Sequence, residues 1–263
     1  NRRATGSRDK MSVSENKKAK DSGLYETVKV IVQALLLALV VRTFLFQPFN
    51  IPSGSMKDTL LIGDYLFVSK LSYGYSRYSF PWGMVPFKGR VFSGEPKRGD
   101  IVVFKLPRDN ATDYIKRVIG LPGDTVQMQD GVLYINGKAI PKKRVEDFVI
   151  TTESGLRRRV AQFEETLPNG VKYRVLDQER GSPTDNTIRF TVPPGHYFMM
   201  GDNRDNSADS REHVGYVPFD NLVGRAEIIF FSAETGEGGS FSVVRPWTWP
   251  GGIRWGRFFK LVR

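Results

Sequence analysis

At 263 residues, with a quarter of them charged and 12% aromatic, the chain can pack one or two domains and is not a disordered or coiled-coil protein. Its formal charge of +11 favours an anionic partner. With no zinc spacing, RNP-like aromatic pattern or helix-turn-helix, a lipid bilayer is favoured over nucleic acid, the alternative being a generally basic solvated surface. The lack of cysteine excludes disulfides, thiolate catalysis and cysteine-bound zinc, and two histidines are too few for a three-histidine metal centre, so no cofactor or metal is expected.

Residues 1–23, "NRRATGSRDKMSVSENKKAKDSG", are polar and basic without apolar periodicity, which predicts a disordered tail. Residues 24–47 follow as an apolar run. Its core, Val30 to Val41, broken only by Gln33, would rise only about 18 Å as a helix, too short for a hydrocarbon layer of about 30 Å. Counted from Leu24 to Phe46, with Lys29 and Arg42 snorkelling outward, it reaches roughly 34 Å. A cleavable signal peptide would end in small residues, and a buried core helix would be amphipathic; this run does neither. One transmembrane α-helix is therefore expected. Lysines and arginines crowd its N-terminal side, which places the tail in the cytoplasm and all later residues on the outer, periplasmic face of the inner (plasma) membrane.

Strand patterns dominate from residue 60. "DYLFVSK", "DIVVFKLP" and "DTVQMQ" each follow a Gly-Asp pair, and "VQMQDGVLYINGKAI" sets Asp-Gly and Asn-Gly at hairpin positions. "TIRFTVPPGHYFMMG" and "LVGRAEIIFFS" add further strands. No long amphipathic helix follows the anchor, so the fold is expected to be mainly β, with an antiparallel core formed by 48–136 and 188–263. The charged stretch 137–187 reads as an inserted smaller β-rich lobe. At the end, "SVVRPWTWPGGIRWGRFFKLVR" alternates tryptophan with arginine. It suits either a solvated tail with packed aromatics or contact with a lipid interface.

The stretch "FNIPSGSMKDTLLIGDYLFV" sets Ser53 and Ser55 around one glycine. A serine hydroxyl is a weak nucleophile without a base. His196 lies in a strand-like run and His213 in a loop after "DSRE", and nothing in the sequence ties either to the serines. The S-x-x-K pattern fails, since Met56 and Asp58 occupy the third positions. Lys57 sits among polar turn residues and should stay charged. Lys116 in "DYIKRVIGLPGD" is different, because Tyr114 and Val118 flank it on the same strand face. A free lysine is less than about 0.1% neutral at pH 7, and making it a working base takes about 4 kcal/mol of desolvation. The loop "GDNRDNSADSR" is not a calcium loop: counted from Asp205, the sixth position is Ser210 and the twelfth Tyr216. Its mixture of Asp, Asn, Arg and Ser suits a loop braced by its own hydrogen bonds.

Taken in order, "PSGSM", "GDYLFVSK", "RGDIVVFK", "DYIKRVIGLPGD" and "GDNRDNSADSR", after a transmembrane segment, resemble the bacterial type I signal peptidases over most of residues 40–230. These are membrane-anchored serine proteases with a Ser-Lys dyad. The resemblance implies that Ser55 is the nucleophile and Lys116 the general base. It implies an oxyanion hole from the Ser55 N–H and the Ser53 hydroxyl, and a lysine oriented by Ser207. Asp209 with Arg211, and Asp202 with Arg117, would be supporting ion pairs, with Tyr114, Phe104 and Met199 as the apolar wall around the lysine. Phe49, Ile51, Pro52, Met56, Leu60, Leu66, Val103, Asp113 and Ile115 would line shallow substrate pockets. The implied substrates are exported preproteins whose signal peptides end in small-x-small, bound in extended form; contact with the secretion machinery is left open. The chain departs from some members in having one membrane segment instead of two, and no cysteine pair. Two rival readings are a self-cleaving repressor-like Ser-Lys enzyme, which would carry a DNA-binding segment in place of the anchor, and a tethered β module without catalysis.

Overall fold

The computed structural model describes residues 6–80, 89–151, 157–179, 181–235 and 241–263. The chain forms two compact units, Asn1–Thr43 and Phe44–Arg263. The first is built by helix α1, Gly6–Phe44. This helix begins inside the stretch expected to be disordered, where Glu, Lys and Ala are good helix formers and no proline interrupts; residues 1–5 lie outside the described residues. Its apolar part, Tyr25–Phe44, is 20 residues and rises about 30 Å, the thickness of a hydrocarbon layer. The helix stops three residues short of the expected end. Pro48 disfavours a helical conformation at the residue before it, and the chain is already extended from Phe46.

The second unit is mainly antiparallel β. Its strands are, in order, β1 (Phe46–Asn50), β2 (Asp64–Ser69), β3 (Ile101–Lys105), β4 (Asp113–Gly120), β5 (Thr125–Gln129), β6 (Val132–Ile135) and β7 (Lys138–Ala139). There follow β8 (Lys142–Arg144), β9 (Phe148–Thr151), β10 (Arg157–Val160), β11 (Gln162–Thr166) and β12 (Lys172–Leu176). Last come β13 (Phe190–Thr191), β14 (His196–Met200), β15 (Val217–Pro218), β16 (Leu222–Ser232) and β17 (Lys260–Leu261). The main sheet runs β1-β2-β16-β3-β4-β14-β15, with β17 also on β16. Pro48 is tolerated because β1 is an edge strand.

Smaller sheets pair β9 with β10, β8 and β12 with β11, and β13-β5-β6-β7. Strand pairing does not set residues 137–187 apart, since β7 shares a sheet with β5, β6 and β13. Nor do these residues have a separate core. Leu167 and Val175 pack in one buried cluster with Val126 and Leu133, and with Ile119, Phe198 and Met200 of the main sheet.

One turn recurs at the strand entrances. Gly63, Gly99 and Gly123 have φ of 86°, 95° and 87°, the left-handed region that favours glycine. In each turn the following aspartate caps the turn's first N–H: Leu61 N–H donates to Asp64, Lys97 to Asp100 and Leu121 to Asp124, at 2.8, 2.9 and 2.6 Å. Asp130-Gly131 and Asn136-Gly137 have positive φ at both positions, as tight hairpins require, and join β5 to β6 and β6 to β7.

Candidate active site

Two segments of the main sheet meet a third from the loop after β14. Ser55 lies in the turn that follows β1, where Lys57 N–H closes back on Gly54 O at 3.1 Å. Lys116 is central in β4, paired in register with Val102 of β3. Alternation along β4 turns its side chain to the face that carries Tyr114. The result is a contact of 2.6 Å between Lys116 Nζ and Ser55 Oγ, with both residues buried. An ammonium donates in that hydrogen bond; once the lysine is neutral, the serine hydroxyl donates to the nitrogen lone pair.

The lysine is 3% exposed. Its nitrogen lies 5.4 Å from the centre of the Tyr114 ring. Phe104 and Met199 are fully buried in one apolar cluster against which Tyr114 packs. Burial lowers the Lys116 pKa from 10.5 to about 8, and the carboxylates of Asp209 and Asp202 oppose only part of the drop. Lys57 is not involved in this contact. Its stem lies over Gly54, and burial, with Arg254 adding to it, draws its pKa below the ordinary lysine value.

Ser53 is exposed, and its Oγ stands 3.5 Å from Ser55 Oγ. The Ser55 N–H has no acceptor among the described residues. The Ser207 hydroxyl is buried and bonded to no described residue, and the lysine uses the Ile115 carbonyl at 3.0 Å as its second partner. The two expected ion pairs form and are buried. Arg117 grips both oxygens of Asp202 at 2.8 and 2.7 Å, and Arg211 grips both oxygens of Asp209 at 2.9 Å. Burial alone would raise the Asp209 carboxyl, but Arg211 and backbone donors hold it below the ordinary value.

The expected pocket residues divide by depth. Met56, Leu60 and Leu66 are fully buried, with Ile51 and Val103 nearly so, in one cluster against which Phe49 and Ile115 pack half-exposed. Pro52 and Asp113 are exposed, and Asp113 pairs with Lys105 at 2.9 Å at the far end of β4. His196 and His213 do not join Ser55; His196 Nδ1 meets the Pro194 carbonyl and His213 lies beside Glu212. Asp205 meets Asp177 and Asp185 from the lobe, and Lys142 sits on Asp177 at 2.7 Å.

Sequence reasoning missed two features of the site. Asn203 bonds the turn that carries Ser55 directly: its N–H donates to Ser55 O and its side-chain amide to Gly54 O, both at 3.0 Å. Arg204 is fixed by Glu165 of β11, with Tyr173 of β12 completing the group. Asn203 stood within a noted motif, but partners 39 and 31 residues from Arg204 leave no local signal.

A serine in contact with a desolvated lysine, on a mainly antiparallel β scaffold, has the parts of a serine hydrolase. Residues 24–231 match the family described as signal peptidase, peptidase S26. Signal peptidase I of Rickettsia typhi is 47% identical over 211 residues, spanning 76% of this chain and 77% of that protein. Signal peptidase I of Rickettsia conorii is likewise 47% identical over 211 residues, with the same shares covered. The crystal structure of a signal peptidase I from Enterococcus faecalis V583 is 32% identical and covers 50% of this chain and 96% of that one, with a TM-score of 0.29. The chain belongs to the peptidase S26 family of signal peptidases. It is a serine endopeptidase of the signal peptidase I type.

Proposed function

We propose that this chain is a membrane-tethered Ser-Lys protease that removes signal peptides from exported preproteins after small-x-small sites. The observation that carries this reading is the 2.6 Å contact between Lys116 Nζ and Ser55 Oγ inside an apolar surround. Neutral Lys116 takes the hydroxyl proton as Ser55 Oγ bonds to the scissile carbonyl carbon. The Ser55 N–H and the Ser53 hydroxyl hold the oxyanion that develops. Lys116 then gives its proton to the leaving amine as the C–N bond breaks, and activates the water that hydrolyses the acyl-enzyme. A neutral amine has two N–H groups; one meets the Ile115 carbonyl, and the other is available to Ser207, which orients the base. Asp209 with Arg211, and Asp202 with Arg117, keep the loop and β4 in place.

The substrate lies extended, bonded through its main chain to strand edges. Phe49 and Ile115 form the accessible rim and Met56, Leu60 and Leu66 the floor, a shallow apolar surface that suits small side chains. Pro52 and Asp113 flank the approach. The Tyr25–Phe44 segment anchors the chain in the inner membrane with its N-terminus cytoplasmic, so that catalysis occurs on the outer face. Tethering there raises the effective concentration of a site cut near the membrane surface. The test is preprotein cleavage by Ser55→Ala and Lys116→Ala in folded full-length chain. Each should abolish cleavage, and activity in either would overturn the dyad.

A further inference from the structure

The nucleophile's peptide group is held from its far side. Gly54 C=O and Ser55 N–H belong to one planar peptide, which is not among the cis bonds of the chain. In a trans peptide the carbonyl and the N–H point in opposite directions. Gly54 O accepts from Lys57 N–H at 3.1 Å and from Asn203 Nδ2 at 3.0 Å, which occupies both of its lone pairs. Asn203 N–H also donates to Ser55 O at 3.0 Å. One residue therefore grips the carbonyls on both sides of the Ser55 Cα.

Asn203 is itself fixed. It is 1% exposed, and its Oδ1 accepts from Gln178 Nε2 at 2.7 Å. That bond sets the amide so that its NH2 group faces Gly54. The backbone on either side is tied to the lobe, since Leu176 N–H donates to Asp202 O and Arg204 N–H to Leu176 O, each at 2.9 Å.

We propose that Asn203 is the positioning residue of the oxyanion hole: by holding Gly54 O it turns the Ser55 N–H outward, toward where the substrate oxyanion forms. This rests on the reading of Ser55 as nucleophile. Gln178 extends the same control into the lobe, so the oxyanion donor is aimed from beyond the catalytic sheet. Losing an oxyanion donor outright costs about 100- to 1000-fold in kcat; a donor still present but freed to turn should cost less, about 10- to 100-fold.

The experiment compares Asn203→Ala and Gln178→Leu in the full-length chain in detergent, by kcat, KM and the pH profile of preprotein cleavage. Asn203→Ala should lower kcat about 10- to 100-fold, with KM within about twofold and the pH inflection unmoved. Gln178→Leu should show a smaller fall of the same kind and add nothing to Asn203→Ala, because the two act as one chain. An unchanged kcat in Asn203→Ala overturns the proposal. So does a moved inflection, which would mean that Asn203 acts through Lys116. If Asn203→Ala fails to fold, Gln178→Leu is judged alone, and wild-type kcat there overturns the proposal. Ser55→Ala separates the two readings: cleavage by it sinks the dyad, whereas a dead Ser55→Ala beside a fully active Asn203→Ala sinks only the role of Asn203.

Discussion

Gly201 lies against Ser207 so closely that a methyl group on its Cα would stand 2.1 Å from the serine Oγ and 2.5 Å from its Cβ. The same methyl group would come within 2.6 Å of the Ser55 carbonyl oxygen, which is backbone and cannot rotate away. Gly201→Ala should therefore displace Ser55 from Lys116 while leaving both side chains present. Misplacement by about 1 Å is enough for a loss on the order of 100-fold. Cleavage rates of Gly201→Ala and of Gly201→Ala with Ser207→Gly check this. The second change removes the side-chain clash but also the hydroxyl proposed to orient Lys116, so the double variant is compared with Ser207→Gly alone; it should stay well below that reference, and equality with it would show that the Ser55 contact is unimportant.

The pH profile follows from the lysine. With its pKa lowered to about 8 by burial, Lys116 is about one-tenth neutral at pH 7 and half neutral near pH 8. Below that inflection kcat/KM should rise about tenfold per pH unit, then level off above it. A rate profile measured from pH 5 to 10 gives the answer. An inflection near 4 would point to a carboxylate base, and one above 10 to a lysine that is not desolvated in the working enzyme.

Much of this candidate site was legible in the sequence because Ser55 and Lys116, the two residues proposed to react, sit in local patterns. Lys116 betrayed itself by alternating with Tyr114 and Val118 on a strand, a signal that burial and pairing with β3 bear out. The Gly-Asp strand entrances and the two hairpins were readable for the same reason, since positive φ and turn capping are decided within four residues. What lay out of reach depends on long-range packing. Gln178 fixes Asn203 from 25 residues away, and Glu165 fixes Arg204 from 39. The role of Ser207 rests on the resemblance alone, while the Ile115 carbonyl as a partner of the lysine had no local signal.

The same lowered pKa has a cost in stability. The unfolded lysine keeps its value near 10.5, so below pH 8 both states are protonated and the folded state bears the full penalty of burying the charge. As pH rises from about 8 to 10.5 the unfolded state binds more protons, and stability rises with pH; above 10.5 the penalty is gone. The drop corresponds to about 3 kcal/mol. Lys116→Met, similar in length and without a charge, should stabilise the chain by up to that amount at pH 7 and by little at pH 10.5. Denaturant unfolding of the full-length chain at the two pH values measures it. Equal stabilisation at both would show that packing, not protonation, accounts for the difference.

Glu165 tests how far the site depends on the lobe. Its carboxylate meets Arg204 through two hydrogen bonds of 2.9 and 2.6 Å, and both residues are almost fully removed from solvent. Glu165 and Tyr173 together hold the Arg204 pKa above its ordinary value against the opposing effect of burial. Glu165→Ala would leave the guanidinium buried without its counterion, which costs about 3–5 kcal/mol. Removing the charge as well, in Glu165→Ala with Arg204→Met, should recover much of that loss, because the penalty lies in the unpaired charge and not in the missing contact. Activity should follow the same course. The Arg204 carbonyl, which accepts from Arg211 at 2.6 Å, and the neighbouring Asn203 belong to the backbone that either variant leaves in sequence. The double variant should therefore regain stability and cleavage together if the loop's backbone is what the site requires. Recovered stability with cleavage still lost would instead make the Arg204 side chain itself part of what holds Asn203 beneath Ser55.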